Sequence, residues 1–227
     1  MKAEIISVGT ELLLGHVINS DAAYVARLLA ETGITMTRTQ VVGDNRERLL
    51  EALADARDND LIITTGGLGP TKDDLTRETC AEFAGLALER DQGVEESLRA
   101  WFGKGDFSEN QYRQALVPKG ARIVSNDNGT APGLIIPFDE NRHIILLPGP
   151  PSELVPMLEN HVRPFLEKLS AGVIESRIIR TFGVGEGQAA QILPGRCFQK
   201  PGPERQKLRK IRRFHCESGF PFLPDGH

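Results

Sequence analysis

The chain is poor in cysteine, in long apolar runs and in metal-ligand spacings, and each shortage removes a class of function. Only Cys80, Cys197 and Cys216 are present, with no CxxC pair among them. A disulfide framework is thereby excluded, and a reducing cytoplasm is the expected setting. The longest aliphatic stretches, such as Leu61-Ile62-Ile63 and Ile144-Ile145-Leu146-Leu147, have strand length and fall far short of the ~20 residues of a membrane helix. Met1-Lys2-Ala3-Glu4-Ile5 runs straight into a strand pattern rather than a cationic-then-apolar leader. The five histidines show no HxxxH or Cys/His ligand spacing, and His16 reads as an ordinary polar histidine. Cys80, among Ala81, Phe83 and Ala84, reads as core rather than as a nucleophile. Neither GxxxxGK[ST] nor GxGxxG occurs, which removes two common nucleotide-binding loops.

What remains is a chain of 227 residues, 40% hydrophobic and 26% charged, enough for one generous domain plus an appendage. The net charge of −4 argues against nucleic acid as a partner, but it conceals an asymmetry. Residues 1–193 carry 19 Lys and Arg against 28 Asp and Glu, whereas residues 194–227 carry 8 against 3. The same tail holds five prolines, and its aliphatics are only Leu208, Ile211 and Leu223. It is therefore expected to lack regular structure, either as the product of a shifted reading frame or as a basic arm for an acidic partner.

Hydrophobic periodicity organises the rest. Ala3–Val8 reads as a buried strand. Asn19 and Ser20 read as caps of a helix bearing Val25, Leu28 and Leu29, closed by Gly33. Ile34–Val42 reads as a second strand in which Ile34 and Met36 alternate with threonines. Asn45 caps a helix with Leu49, Leu50 and Leu53, and Leu61–Thr65 is a third strand. This β-α-β-α-β order predicts a doubly wound, mostly parallel α/β sheet with helices on both faces. Further on, helices are expected at Thr76–Phe83 and Val94–Phe102, and a strand at Arg122–Val124. Leu134–Phe138 and His143–Leu147 form a strand pair. A last helix is expected from a Ser152 cap to Leu169, kinked or interrupted at Pro164, followed by a strand at Arg177–Phe182.

Four loops rich in glycine or polar residues follow strands: Gly9-Thr10-Glu11, Gly43-Asp44-Asn45, Gly66–Asp74 and Pro148–Glu153. Ligands of open α/β sheets bind outside the carboxyl ends of the strands, so these loops should converge on one crevice. The sharpest is Thr64-Thr65-Gly66-Gly67-Leu68-Gly69-Pro70. Its glycines let backbone N–H groups approach an anion, and the helix from Thr76 would aim its positive end there. Asp74, with Asp73 beside it, could hold Mg²⁺ together with phosphate oxygens, and one of the two could simply cap the helix. Asp44 supplies a second carboxylate, as metal ligand or general base. Glu11 and Glu153 have a plainer reading as partners of helix dipoles.

Six segments in order carry a family resemblance: Gly9–Gly15 with Asn19-Ser20-Asp21, Val42-Gly43-Asp44, Thr64–Thr76, Gly129-Thr130-Ala131-Pro132-Gly133, Leu147–Glu153 and Arg180–Glu186. They resemble the N-terminal domain of the CinA (competence/damage-inducible) family, within the MoaB/Mog molybdopterin-binding superfamily. Gly66-Gly67-Leu68-Gly69-Pro70 departs from the Gly-Gly-Thr-Gly of the Mog branch and favours CinA. The likeness implies a MoaB/Mog-like domain over residues 1–170 and the start of a following segment, cut short, over 171–193. The basic tail over 194–227 matches nothing recognisable in the family, and the deamidase region of full-length members has no counterpart after about Ile192.

The activity implied is a metal-dependent ADP-ribose pyrophosphatase. The alternatives are molybdopterin binding with adenylyl transfer, or a catalytically silent nucleotide- or pterin-binding module. Carried over by motif, Asp44 and Asp74 are the catalytic and metal-binding residues. Substrate contacts are expected from Gly9, Thr10, Glu11, Asn19, Gly66, Gly67, Gly69, Lys72, Thr76, Gly129, Thr130, Pro148, Gly149 and Glu153. The implied partners are a small nucleotide or pterin phosphate, a divalent metal such as Mg²⁺ and further copies of the chain in a homo-oligomer.

Overall fold

Ile5 and Ile6 are adjacent in sequence and both fully buried, which requires covered surfaces on both sides of their strand. The computed structural model, which describes residues 1–103, 109–139, 141–170, 174–182 and 211–219, shows how this is met. The chain begins β1 (Lys2–Val8), α1 (Thr10–Leu13), α2 (Asp21–Glu31), β2 (Thr35–Val42), α3 (Arg46–Asp55), β3 (Leu61–Thr65) and α4 (Thr76–Phe83). A smaller excursion follows, with β4 (Leu88–Arg90), α5 (Gln92–Phe102), α6 (Glu109–Tyr112), a 3-10 turn at Arg113–Ala115 and β5 (Leu116–Pro118). The chain then returns through β6 (Arg122–Val124), β7 (Gly133–Asp139), β8 (Arg142–Leu147) and α7 (Pro151–Met157). A π turn at Leu158–Val162 leads into α8 (Arg163–Leu169).

The main sheet has the order β2-β1-β3-β8-β7-β6. β2, β1, β3 and β8 are mutually parallel, while β7 and β6 continue the sheet antiparallel. Successive side chains of a strand point to opposite faces, and the core divides accordingly. Ile6, Ile62, Ile144 and Leu146 pack with Leu49, Leu53, Cys80 and Leu98 from α3, α4 and α5. Ile5, Leu61, Ile63, Ile145 and Leu147 pack with Val25, Leu28 and Leu29 of α2 and Leu154, Met157 and Leu166 beyond β8. Each layer is amphipathic only towards the sheet, so the doubly wound arrangement is the one that buries all of them.

Three local expectations change. Met36 is 41% exposed, because β2 is an edge strand and the alternation read in Ile34–Val42 has no second layer to meet. Ser152 does not cap the last helix. Pro150 takes that place, with Pro151 in the first turn, where a missing N–H costs nothing. The interruption expected at Pro164 is present, as a π turn just ahead of it, where the helix must accommodate a residue without an N–H. In the tail, the backbone of β10 (Ile211–Gly219) pairs in parallel with β9 (Ile174–Phe182). Its five prolines all lie outside Ile211–Gly219, so they leave that stretch free to be extended.

Candidate functional site

The four parallel strands end on one side, and the loops that follow them enclose a cleft of about 660 Å³. Gly9 and Glu11 after β1, Asp44 after β2, Gly66–Thr71, Asp73 and Asp74 after β3, and Pro148–Pro151 with Glu153 after β8 all contribute to its wall. Thr130 and Ala131, just before β7, complete it, with Gln114.

The glycine loop is fixed by close backbone approaches. Gly66 has φ 91 and Gly67 φ 67, values that favour glycine. A Cβ on Gly66 would lie 2.2 Å from the Val8 carbonyl oxygen, and one on Gly67 2.2 Å from Thr76 Oγ1. The Gly66 N–H donates to the Leu147 carbonyl at 3.0 Å. By contrast, no acceptor among the described residues takes the N–H of Gly67, Leu68 or Gly69. These three consecutive amides, at the cleft wall and without protein partners, are the kind of groups from which an anion-binding nest is built.

Two aspartates stand beside this nest. One Asp44 oxygen accepts from the Thr10 N–H at 2.8 Å, while the Asp44 N–H donates to Thr10 Oγ1 at 3.2 Å. Asp74 Oδ2 accepts from Thr71 N at 2.8 Å and from Thr71 Oγ1 at 2.6 Å. In each case Oδ1 has no protein donor among the described residues. Asp73 also lines the cleft and is exposed.

Not every predicted contact reaches the cleft. Thr10 serves Asp44 from behind. Asn19 donates to Ser7 Oγ at 2.9 Å and accepts from Ala22 N at 3.2 Å, bracing the loop before α2. Lys72 is exposed and lies outside the cleft wall. Thr76 is fully buried, its N–H donating to the Gly67 carbonyl at 3.1 Å. The first amide of α4 is thus spent on the loop rather than on a ligand. Gly129 lies in an adjoining cavity, and a Cβ there would meet the Glu153 carboxylate. Glu153 lines the cleft and accepts from Asn126 Nδ2 at 2.6 Å.

The structure adds residues that patterning missed. Arg77 is only 2% exposed and donates to the Leu68 carbonyl at 2.9 Å and to the Arg113 carbonyl at 2.5 Å. Burial holds its guanidinium below the ordinary value. Arg113 donates to the Thr71 carbonyl at 2.6 Å and to Glu78 Oε1 at 2.9 Å. Together they pin both ends of the loop, and nothing in their spacing announces it. Asp21 lines the cleft at the start of α2, and desolvation pushes its pKa up to about 6. It stood inside a matched motif without a role. Cys80 is buried, with its thiol pushed well above the ordinary value by desolvation, in keeping with a core position.

Residues 4–168 match a family model described as "Probable molybdopterin binding domain". A CinA-like protein of Desulfovibrio desulfuricans is 52% identical over 191 residues, covering 84% of this chain and 45% of that protein. A competence-damage inducible protein of Symbiobacterium thermophilum is 44% identical over 221 residues, covering 95% of this chain and 52% of that relative. The second likeness runs past Leu193 into the basic tail, which carried no recognisable match above, while the first spans only 191 residues. The chain spans about half the length of these two relatives. The crystal structure of the protein CinA from Thermoplasma acidophilum shares the fold with a TM-score of 0.68 at 33% identity, over 72% of this chain and 96% of that one. The convergent loops and these likenesses lead to one family: the chain belongs to the molybdopterin-binding domain family, in its CinA-like branch.

Proposed function

We propose that the cleft binds a nucleoside diphosphate compound of the ADP-ribose type and hydrolyses its diphosphate with the help of a divalent metal. The observation that carries this reading is the pairing of three unpartnered amides, at Gly67, Leu68 and Gly69, with one open carboxylate oxygen on each of Asp44 and Asp74. The amides suit phosphate oxygens. The carboxylates suit a hard cation.

Among the described residues no group of three or more His, Cys, Asp or Glu is gathered for a metal. That argues against an all-protein cage, but it fits Mg²⁺, which is commonly held by one or two carboxylates together with substrate phosphates and water. Asp44 and Asp74 would hold it, and when bound it supplies charge neutralisation and an acidified water.

The chain's own residues do the rest. Gly67–Gly69 hold the diphosphate by their N–H groups, and Pro148–Pro150 and Thr130 close the cleft around it. Thr10 and Thr71 fix the two aspartates, so that each keeps one oxygen turned to the reaction. In the reaction itself, water oxygen bonds to one phosphorus as the bridging P–O bond breaks. Two monophosphates result.

The test is direct: purified protein is given ADP-ribose with Mg²⁺ or with a chelator, and AMP is measured. Metal-dependent AMP release is expected; none under any metal condition would end the hydrolase reading. The match to a molybdopterin-binding model supports a second reading, in which the same cleft takes a pterin phosphate; adenylyl transfer is the reaction proposed for it there. Pterin-dependent consumption of ATP would identify it, and binding without turnover would mark a silent module.

A further inference from the structure

Asp21 is the first residue of α2, lines the cleft and is 8% exposed. Among the described residues no hydrogen bond or ion pair reaches its carboxyl, and burial alone accounts for its raised pKa. An acid at a helix start is commonly a partner of the helix dipole, but that role lowers a carboxyl pKa and is played in water. Here the direction is opposite. A carboxyl drawn largely out of water without a protein donor is costly, and what remains open of it faces the cleft.

Phosphate cannot meet it, since two anions repel. The neighbouring wall gives the character of what can. Val17 and Ile18 line the same cleft and are 52% and 88% exposed. They offer an apolar surface to a ring while Asp21 waits for its donors. The two oxygens of a carboxylate accept a pair of adjacent N–H or O–H groups, as an acid accepts ribose hydroxyls in dinucleotide-binding folds.

We propose that Asp21 is a specificity-determining residue that recognises paired donors on the ring portion of the ligand, while the phosphate occupies Gly67–Gly69. The donors are the vicinal diol of a ribose or the adjacent N–H and amino groups of a pterin. The inference rests on the reading of the cleft as a site for a nucleoside- or pterin-type phosphate, and not on hydrolysis.

The test measures binding by calorimetry in Mg²⁺ buffer, using the full chain as wild type, Asp21→Asn and Asp21→Ala. The probes are AMP, 2′,3′-dideoxy-AMP, 6-hydroxymethylpterin phosphate and inorganic pyrophosphate. Removing charge-assisted bonds should weaken AMP or the pterin phosphate by about ten- to a hundredfold. Pyrophosphate should bind unchanged or slightly more tightly. A loss on AMP, with dideoxy-AMP already weak in the wild type, assigns the diol; a loss confined to the pterin phosphate assigns the ring edge. Wild-type affinity of both variants for every donor-bearing probe overturns the proposal, as does equal weakening of pyrophosphate. A wild-type protein that binds no donor-bearing probe more tightly than pyrophosphate also overturns it. Asp21→Asn is nearly isosteric and keeps the test valid if Asp21→Ala melts early. A protein that leaves ADP-ribose intact, yet loses AMP affinity on Asp21→Ala, ends the hydrolase reading and keeps this one.

Discussion

Asp74 has two duties, and they can be separated. One oxygen holds Thr71 and the other is open. Asp74→Asn keeps an acceptor for Thr71 but removes the charge that a metal needs. Turnover should fall by ~10²–10⁴, as is usual on losing such a group, with an unchanged melting temperature; wild-type activity in this variant would remove Asp74 from the chemistry. Asp73→Asn should do less. Asp21 gives a pH signature instead. Its pKa rises from 3.8 to about 6 on folding. Between those values the folded chain keeps a proton that the unfolded chain has released, so stability falls as pH rises through that window. The contribution is fully present below pH 4 and gone above pH 6. Asp21→Asn has no such proton. Its melting temperature relative to wild type should therefore climb between pH 4 and pH 7, and a constant difference would show that Asp21 is not desolvated as described.

At the scale of elements, the loop between β3 and α4 is set by what surrounds it. Gly67→Ala would place a methyl against Thr76 Oγ1 at a positive φ, which costs about 1–3 kcal/mol or pushes the loop out of shape. The expected result is a large loss of pyrophosphate affinity with the sheet intact by circular dichroism. Retained affinity would mean that the amides of this loop do not hold the anion. Arg113→Met should weaken binding more mildly, because Arg77 still ties Leu68. These roles explain why the site was only partly legible. Asp44 and Asp74 follow strands and sit among glycines, a local pattern that one sequence displays. An arginine in a helix reads as a solvated charge, and only the folding of Arg113–Ala115 over α4 makes Arg77 an interior clamp.

At the scale of the whole molecule, both core clusters among the described residues are drawn from Ala3 to Leu169. Ending the chain at Leu193 should accordingly leave the melting temperature within a few degrees and the catalytic rate unchanged. Aggregation, or a loss of several degrees, would show that β10 and its surroundings complete the fold. The homo-oligomer implied by the family likeness is checked by light scattering in solution, where a monomeric mass would refute it. The sequence by itself determined the doubly wound layers, the succession of strands and helices in the first half and the loops that meet at the cleft. Those follow from short-range periodicity and from glycine and aspartate placed just after strands. Burial at Met36, Thr76 and Asp21 was decided only by tertiary structure. An edge position uncovers Met36, the return of the glycine loop covers Thr76, and the wall formed with the loop before α2 takes water from Asp21. Burial depends on which distant segments arrive, and no local pattern records that.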